Sequence, residues 1–276
     1  MPAEPTISLA ITGAAGRMGT RLVALATQDD ALQVVAAIER PDHPLLLRDA
    51  GDVAGVGPIG TPIAIDLQPS PPHSPPKSPA VLIDFSSPAS TRHWLKTCRE
   101  RKIAMLIGTT GLQWGDQSAI DQAAADIPVL QATNMSLGVA VLNQIAAEVA
   151  KQLGDDYDIE IVEAHHRFKK DAPSGTAATL AEAIVAATGK QRDAIVYGRH
   201  GDDVPRQRGE IGMHSMRMGD EVGRHTACFA ALGERLELTH VATSRDTFVH
   251  GALRAAKWLA GQKPGRYTIA DVLGLK

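Results

Sequence analysis

A glycine-rich turn near the start of the chain constrains the fold more than any other feature of the sequence. The apolar, β-branched segment Ile7 to Thr12 comes directly before it, and Met18 to Thr27 has helical composition. Strand, loop and helix therefore follow one another. In this setting Gly13, Gly16 and Gly19 let backbone amides at a helix start approach a pyrophosphate. A GxxGxxG turn in a βαβ unit predicts dinucleotide binding, whereas glycines alone would predict only a tight turn.

The alternation of strands and helices continues beyond the glycine turn. Apolar segments recur at Val34 to Ile38, Ala80 to Phe85, Ile103 to Ile107 and Pro128 to Ala132, and helical stretches such as Ser90 to Arg101 and Gln117 to Ala125 separate them. This pattern favours an α/β fold with a doubly wound, Rossmann-like parallel sheet over residues 1–133. The proline-rich segment Gln68 to Pro79 cannot join a ladder or a helix interior, so we expect an exposed loop there.

The sequence changes character after residue 133. Helical segments at Val139 to Leu153 and Thr176 to Thr188 flank a strand at Asp158 to Ala164, and strand-like segments follow at Ile211 to Met218, Glu221 to Ala231 and Arg235 to Ser244. This order predicts a C-terminal α+β domain with a mostly antiparallel sheet over residues 134–247. An amphipathic helix at about Phe248 to Ala260 opens a last segment, residues 248–276, that could pack on either domain.

Composition argues against several classes of protein. With a formal net charge of −3 and no long Lys or Arg block, the chain is not expected to bind nucleic acid. Its two cysteines, Cys98 and Cys228, lie far apart, which argues against a disulfide framework and a thiolate zinc site, and we expect both to be buried. The first apolar run is too short for a signal peptide or a membrane span, so we expect a cytoplasmic location and no membrane partner.

Three further segments fall where a dinucleotide would lie in such a sheet. Glu39 ends the second strand, where an acidic side chain can accept hydrogen bonds from the adenosine ribose, and this favours NAD. The adjacent Arg40 can pair with the 2′-phosphate of NADP, so we expect NADH, NADPH or both as cofactor. Gly108 to Gly111 and Ala132 to Met135 each follow a strand at the carboxyl edge of the sheet, although composition alone would make both of them turns.

The segment Glu163 to Thr176, EAHHRFKKDAPSGT, concentrates chemistry in one loop. His165 can exchange protons near neutral pH and Lys169 can donate a proton or hold an anion, which suits reduction of an imine; a solvated basic loop is the alternative. His165 and His166 point to opposite sides of an extended segment and no other ligands complete a set, so no metal site is expected. Ser174 can cap a helix whose first turn presents amides to a carboxylate, so we expect a small acidic substrate.

Six motifs, taken in order, resemble those of 4-hydroxy-tetrahydrodipicolinate reductases and cover nearly the whole chain: GAAGRMG, DFSSP, GTTG, ATNMS, EAHHRFKKDAPSGTA and RMGDEVGRHT. The resemblance implies a Rossmann-like first domain, a second domain whose sheet builds a homotetramer, and a last helix that returns to the first domain. It also implies hydride transfer from the nicotinamide to C4 of a cyclic imine dicarboxylate, loss of water and protonation of the resulting enamine, in diaminopimelate and lysine biosynthesis.

The resemblance also assigns roles to individual residues. His165 matches the proton donor or acceptor and Lys169 the proton donor, while His166, Gly175 and Thr176 match positions that bind the substrate carboxylates. The positions that match cofactor contacts are Gly13, Ala14, Ala15, Gly16, Arg17, Met18, Glu39, Arg40, Gly108, Thr109, Thr110, Ala132, Thr133, Asn134 and Met135.

Two departures from the family pattern bear on activity. The family loop commonly reads HHRHK, and Phe168 stands here in place of the third histidine, so any substrate contact of that ring is absent. Many relatives carry Arg where this chain has Ser87, which removes one phosphate contact and tempers the case for NADP.

Two other functions stay open at this point. One is another NAD(P)-dependent imine or amino-acid dehydrogenase, such as an aspartate-dehydrogenase-like enzyme, and the HHRFK and SGT segments argue against it. The other is a dinucleotide sensor without turnover, which would have no need of a positioned proton donor.

Overall fold

The computed structural model describes residues 6–67 and 78–275. Their backbone forms two compact units. Residues up to Met135 together with Phe248–Gly274 make the first unit, and Ser136–Thr247 make the second. Most of the proline-rich segment, for which an exposed loop is predicted, lies outside the described residues.

A parallel sheet forms the centre of the first unit. Its elements up to Met135 are β1 (Ile7–Thr12), α1 (Arg17–Ala26), β2 (Leu32–Ile38), α2 (Ala50–Ala54), β3 (Ile63–Ala64), β4 (Val81–Asp84), α3 (Pro88–Arg101), β5 (Ala104–Ile107), α4 (Trp114–Ala124) and β6 (Pro128–Gln131). β4 and β5 are buried along their whole length. Parallel strands covered on both faces read as continuous apolar runs, which is why the sequence pattern locates them; Asp84 is the polar exception within β4.

The second unit combines two helices with a mixed sheet. Its elements are α5 (Leu137–Leu153), β7 (Asp158–His165), α6 (Gly175–Thr188), β8 (Ile195–Tyr197), β9 (Ile211–Arg217), β10 (Gly223–Ala231) and β11 (Glu234–Ala242), with 3-10 turns at Gly154–Asp156 and Arg192–Ala194. The strand order is β11-β10-β7-β9-β8. β10 is antiparallel to β7 and β11, whereas β9 runs parallel to β7 and β8. Leu142 and Leu180 of the helices share a core with Ile161 and Phe229 of the sheet.

The last segment completes the first unit. It comprises α7 (Asp246–Leu259), β12 (Gly265–Tyr267) and α8 (Ile269–Leu273). β12 pairs in parallel with β6, so the sheet has seven strands in the order β12-β6-β5-β4-β1-β2-β3. A Cβ atom on Gly251 would overlap the carbonyl oxygen of Met135, so this glycine lets α7 lie directly on the backbone there. The Lys257 ammonium also binds the Asp29 carboxylate at 2.6 Å.

The structure confirms the predicted fold class, a Rossmann-like parallel sheet and an α+β unit with a mixed, mostly antiparallel sheet. The sequence patterns do not predict α2, β3, β8, β12 and α8, because two to five residues are too few to show a periodicity. Cys98 is buried as predicted, but Cys228 is only half-buried, so that expectation is wrong. Among the described residues, no helix combines the length and the apolar character that a membrane crossing requires.

Candidate active site

The glycine turn after β1 has the backbone geometry that its sequence predicts. Gly13 has a φ of +69°, in the left-handed region that favours glycine, and a Cβ there would lie 2.7 Å from the carbonyl oxygen of Phe85. A Cβ on Gly19 would overlap Gly13, so α1 packs directly on the turn. Gly16 is the N-cap of α1, and no side chain of the described chain caps this helix. The turn therefore presents the positive end of a helix for an anion.

A pocket opens beside this turn. Its volume of about 770 Å³ is common for small-molecule sites. It is lined by Thr12, Gly13, Gly16, Ile38, Glu39, Arg40, Pro41, His43, Ile65, Asp66, Phe85, Ser86, Ser87, Ser90, His93 and Trp94. Four predicted cofactor residues, Gly13, Gly16, Glu39 and Arg40, are among them. Sequence reasoning missed His43 and His93, because neither stands in a recognisable motif.

Two oppositely charged residues that follow β2, Glu39 and Arg40, border this pocket. The Glu39 carboxylate accepts a hydrogen bond from the Ala15 amide at 3.1 Å, so it lies against the glycine turn. Arg40 is exposed and pairs with Asp42 at 3.2 Å. The side chains predicted to read the adenosine ribose and a 2′-phosphate therefore border the same pocket.

Ser87, the residue that departs from the family pattern, has a structural role. It is the N-cap of α3, and its hydroxyl accepts a hydrogen bond from the Ser90 amide at 3.3 Å. An N-cap serine satisfies one of the unpaired amides at a helix start. Arginine at this position would lose that bond.

A buried carboxylate ends β4 beside the pocket. Asp84 is 0% exposed, and it accepts hydrogen bonds from four hydroxyl groups, those of Thr12, Ser86, Thr91 and Thr109. Its oxygens lie 2.6 Å from the Thr12 hydroxyl and 3.0 Å from that of Thr109. The DFSSP motif contains Asp84, but sequence reasoning gave it no role because Thr12 is 72 residues away in the chain.

The other two predicted cofactor segments follow β5 and β6 at the same edge of the sheet. Gly108 is buried, and a Cβ there would overlap the Phe85 ring. The side chain of Thr109 is turned inward to Asp84, whereas Thr110 is exposed. After β6, the Ala132 amide donates to the carbonyl of Ile107 at 3.1 Å, Thr133 is exposed and Met135 is buried. Because β1, β5 and β6 belong to one parallel sheet, all three segments stand at its carboxyl edge.

The second unit holds a buried carboxylate of a different kind near the end of β7. Glu163 is 0% exposed and accepts hydrogen bonds from Nδ1 of His165 at 2.6 Å, from the Ser174 amide at 3.1 Å and twice from the Arg217 guanidinium at 2.8 Å. Burial acts to raise the pKa of Glu163, but the hydrogen bonds from Arg217 and His165 outweigh it and lower the pKa to about 2.

This carboxylate fixes the orientation of the His165 ring. Because an ionised carboxylate can only accept hydrogen bonds, Nδ1 of His165 carries the proton and Nε2 is left to exchange a proton with another molecule. A Cβ on Gly223 would lie 3.1 Å from Nε2, so the glycine gives the ring its space. Burial, opposed by Glu163 and assisted by the charge of Lys169, lowers the pKa of His165 below 6.5.

The loop after β7 carries the remaining predicted residues. The Lys169 ammonium pairs with Asp171 at 2.8 Å, and the Lys169 amide binds the carbonyl of His166 at 3.1 Å, which closes a turn. Nδ1 of His166 is buried and has no hydrogen-bond partner in the part of the chain that the structure describes. Phe168 is 78% exposed, with its ring centre 6.3 Å from that of His166.

The helix start that follows this loop is the one the sequence predicts. Ser174 is the N-cap of α6, and its hydroxyl accepts a hydrogen bond from the Ala177 amide at 3.2 Å. The same hydroxyl lies 2.9 Å from Nε2 of His225, a buried ring whose pKa falls to about 4 because of its burial. The rings of His225 and His165 are 5.1 Å apart. The start of α6, Glu163 and both histidines therefore form one cluster.

Sequence reasoning quoted Glu163, Arg217 and His225 within motifs but gave them no role. One signal was available for Glu163: residues two apart on a strand share a face, so Glu163 and His165 are neighbours on β7. Arg217 is 54 residues from Glu163 in the chain, and only the pairing of β9 with β7 brings them together.

A Rossmann-like sheet with a glycine turn, together with a unit that carries an oriented histidine and a lysine, defines a nicotinamide-dependent oxidoreductase. The chain belongs to the dihydrodipicolinate reductase family. The family model for the N-terminus of dihydrodipicolinate reductase matches residues 7–135, and the model for its C-terminus matches residues 138–273.

Two named relatives match the sequence of this chain over nearly its full length. The chain is 45% identical over 271 residues to the 4-hydroxy-tetrahydrodipicolinate reductase of Alkalilimnicola ehrlichii, covering 98% of this chain and 100% of the relative. It is 45% identical over 276 residues to that of Acinetobacter baumannii, covering 100% of this chain and 98% of the relative.

Solved structures share the fold at lower identity. A dipicolinate-bound dihydrodipicolinate reductase from Paenisporosarcina sp. TG-14 superimposes with a TM-score of 0.74 at 21% identity, over 95% of this chain and 97% of that chain. An amine dehydrogenase from Mycobacterium smegmatis gives a TM-score of 0.56 at 11% identity, over 96% and 95% of the two chains. At these identities the likeness concerns the fold alone.

Proposed function

We propose that this chain reduces 4-hydroxy-tetrahydrodipicolinate to tetrahydrodipicolinate with NADH or NADPH, a step of diaminopimelate and lysine biosynthesis. The observation that carries the residue assignment is the hydrogen bond of 2.6 Å between buried Glu163 and Nδ1 of His165, beside the start of α6. It provides an oriented proton-exchanging group next to a site for a carboxylate.

The first unit suits the dinucleotide. The open start of α1, the adjacent pocket and Glu39 at the end of β2 form a cradle for a pyrophosphate and a ribose. We assign the contacts to Gly13 to Met18, Glu39, Arg40, Gly108 to Thr110 and Ala132 to Met135. When bound, the reduced nicotinamide supplies the hydride.

His165 and Lys169 manage the proton that this reduction consumes. Because its pKa lies below 6.5, His165 is neutral at pH 7 and Nε2 has a free lone pair. It can therefore accept a proton and return it, while the Lys169 ammonium donates one. Glu163 acts through His165, since it sets which ring nitrogen is free.

The substrate carboxylates face a set of groups that favour negative charge. Gly175 and Thr176 form the first turn of α6, and the half-buried ring of His166 has an unpaired nitrogen in the described chain. A helix start and cationic side chains both stabilise an anion. We assign one or both carboxylates of the substrate to His166, Gly175 and Thr176.

The test is oxidation of NADH and of NADPH by the purified protein, with the substrate formed in place by a dihydrodipicolinate synthase. We expect turnover that depends on the substrate. His165→Ala and Lys169→Ala should each lower kcat by about 100-fold or more, the usual contribution of a general acid or base. Lys170→Ala, which removes an exposed lysine next in the chain, is the control and should keep kcat within about twofold.

Two results would reject this function. If the folded protein bound nucleotide but never turned over this substrate, another imine substrate or a sensor would take its place. If both alanine variants kept kcat within about threefold of the parent, the reaction could stand but the proton-transfer assignment would be wrong.

We also propose that both nucleotides are used. Glu39 favours the ribose hydroxyls and Arg40 a 2′-phosphate, and both border one pocket. Arg40→Ala should raise the KM for NADPH by about tenfold and leave that for NADH within about twofold, since loss of one charge-assisted contact is worth roughly 1.5 kcal/mol. Equal effects on both nucleotides would remove Arg40 from the phosphate site.

The second unit is proposed to build a homotetramer, and the protein to work in the cytoplasm. β11 is an edge strand of nine residues on which Leu236 and Val241 are 42% and 49% exposed. Long exposed edge strands with apolar side chains are usually covered by a partner. Light scattering on the purified protein should give the mass of four chains, and the mass of one chain at micromolar concentration would reject the assembly.

A further inference from the structure

We infer that Asp84 is the positioning residue of the nucleotide site: its buried carboxylate holds together the loops that follow β1, β4 and β5. One hydroxyl group ties each segment to Asp84: that of Thr12, the last residue of β1 before the glycine turn, and those of Ser86 and Thr109 in the loops after β4 and β5. Thr12 and Ser86 line the pocket, and Thr109 stands in the GTTG loop. One side chain thus connects three segments that come from separate parts of the chain.

The two residues after Asp84 strengthen this connection. Phe85 lies between the glycine loops, because a Cβ on Gly13 would meet its carbonyl oxygen and a Cβ on Gly108 would overlap its ring. The Ser86 amide donates a hydrogen bond of 3.0 Å to the Thr109 hydroxyl, which itself donates to Asp84. Residues 84–86 therefore form a bridge between the glycine turn and the GTTG loop.

The chemistry of the carboxylate matches the number of its partners. An ionised carboxylate has about four acceptor sites, and four hydroxyl donors occupy them. These four donors are neutral hydroxyl groups, and among the described residues Asp84 forms no ion pair with Lys, Arg or His, so burial of this side chain is costly. A neutral side chain would cost less to bury but could not accept from all four donors. The buried Asp84 carboxylate is explained if it fixes the loops in their binding conformation before the nucleotide binds.

Thr91 provides an internal control for this inference. Its hydroxyl also donates to Asp84, and Thr91 is buried like Thr109, but Thr91 lies in α3, where the hydrogen bonds of the helix already fix it, and neither threonine lines the pocket. Thr91→Val and Thr109→Val each remove one hydroxyl bond to the same carboxylate, and Thr109→Val also removes the acceptor of the Ser86 amide. Only the second variant releases one of the three connected segments, the GTTG loop.

The experiment measures NADH binding by fluorescence without substrate, together with thermal unfolding. We expect Thr109→Val to raise the Kd by about tenfold and Thr91→Val to leave it within about twofold, although both variants should lower thermal stability. Asp84→Asn should also raise the Kd by about tenfold, and it should raise the KM for NADH while kcat at saturating nucleotide changes by less than about threefold. Adding Thr109→Val to Asp84→Asn should raise the Kd by clearly less than the tenfold that it causes alone, because both variants weaken the bond between Thr109 and residue 84.

Equal changes of Kd in Thr91→Val and Thr109→Val would overturn the inference, and so would full additivity in the double variant, which would mean that Thr109 acts independently of Asp84. If Asp84→Asn failed to fold, the comparison of Thr91→Val with Thr109→Val would still test the inference. The inference rests on the nucleotide site of the proposed function, and the parent protein separates the two failures. Absence of NADH binding by the parent would reject the site itself, whereas parent binding with equal threonine variants would reject only the role of Asp84.

Discussion

Among the described residues, each unit contains one carboxylate that is 0% exposed near its proposed site, Asp84 and Glu163, and the two are held in different ways. Asp84 in the first unit accepts hydrogen bonds only from neutral hydroxyl groups among the described residues. Glu163 in the second unit accepts from Arg217, His165 and a backbone amide. The first arrangement connects loops without adding a cation, whereas the second builds a charged network around His165, the group that we propose to exchange protons.

The difference fits the ligand that each unit is proposed to bind. A pyrophosphate is bound through backbone amides, so the loops that carry those amides must be fixed, and hydroxyl groups suffice for this. A dicarboxylate and a moving proton require side-chain cations and an oriented imidazole. The buried carboxylate then has a second task, because it must balance Arg217.

The largest expected effect comes from replacing Glu163 by its amide, and the same change at Asp84 is the comparison. Glu163→Gln should lower kcat by about 100-fold, because the amide cannot hold Nδ1 of His165 in its protonated form and bind Arg217 twice. It should lower the free energy of unfolding by about 3 kcal/mol, since Arg217 loses its charge partner. Asp84→Asn should cost only about 1 to 2 kcal/mol, because it breaks hydrogen bonds to neutral hydroxyl groups and leaves no charged side chain without its partner. Steady-state kinetics and urea unfolding measure both.

A double variant shows whether Glu163 acts through His165. In the His165→Ala background, Glu163→Gln should change kcat by less than about threefold. A loss as large as in the parent background would instead indicate a general structural effect. Equal losses of stability in Asp84→Asn and Glu163→Gln would remove the distinction between the two carboxylates.

The next largest effect is the loss of stability at low pH, which arises from buried groups of the second unit. The pKa of His225 is about 4 in the folded protein against an ordinary value of 6.5, because the ring is buried. As pH falls from 6.5 to 4, the unfolded chain binds a proton that the folded chain does not, so stability falls by up to about 1.4 kcal/mol per pH unit for this group. Below pH 4.5 Glu163, with a pKa of about 2, adds a loss of the same sign.

Urea unfolding from pH 7 to pH 4.5 measures this slope. His225→Asn should reduce the slope by the contribution of one proton, and the same substitution at exposed His250 should not. An unchanged slope in His225→Asn would mean that other buried histidines, such as His165, account for the acid sensitivity.

The smallest expected effect concerns Phe168, which departs from the family loop. Its side chain is 78% exposed, so solvent screens any charge placed there. Phe168→His should change the KM for the substrate by less than about threefold and leave kcat unchanged. An improvement of tenfold or more would show that the second unit lacks a substrate contact and that its charged network is incomplete without one.

The sequence predicts the sheet and the glycine turn well, for identifiable reasons. The strands from β1 to β6 that are buried on both faces read as apolar runs, and Gly13 needs the positive φ that its motif position indicates. Ser174 is predicted as a helix cap because serine before a small residue and an apolar run is a local signal. These features depend on neighbours in the chain.

The features that escape sequence reasoning depend on distant residues. Asp84 meets Thr12 and Thr109 across 72 and 25 residues, and Glu163 meets Arg217 across 54. Neither the hydroxyl groups nor the arginine differ in any local pattern from surface residues of the same type. β12, with three residues, is found only through its pairing with β6.

That pairing has a consequence for how the protein is made. Because β12 adds to the edge of the sheet next to β6, the first unit stays one strand short until the whole of the second unit and residues up to Tyr267 have left the ribosome. The intervening unit, Ser136–Thr247, emerges earlier and can fold on its own contacts. During synthesis the edge of β6 is therefore open, and the sheet that carries the glycine turn is completed only after the second unit has been made.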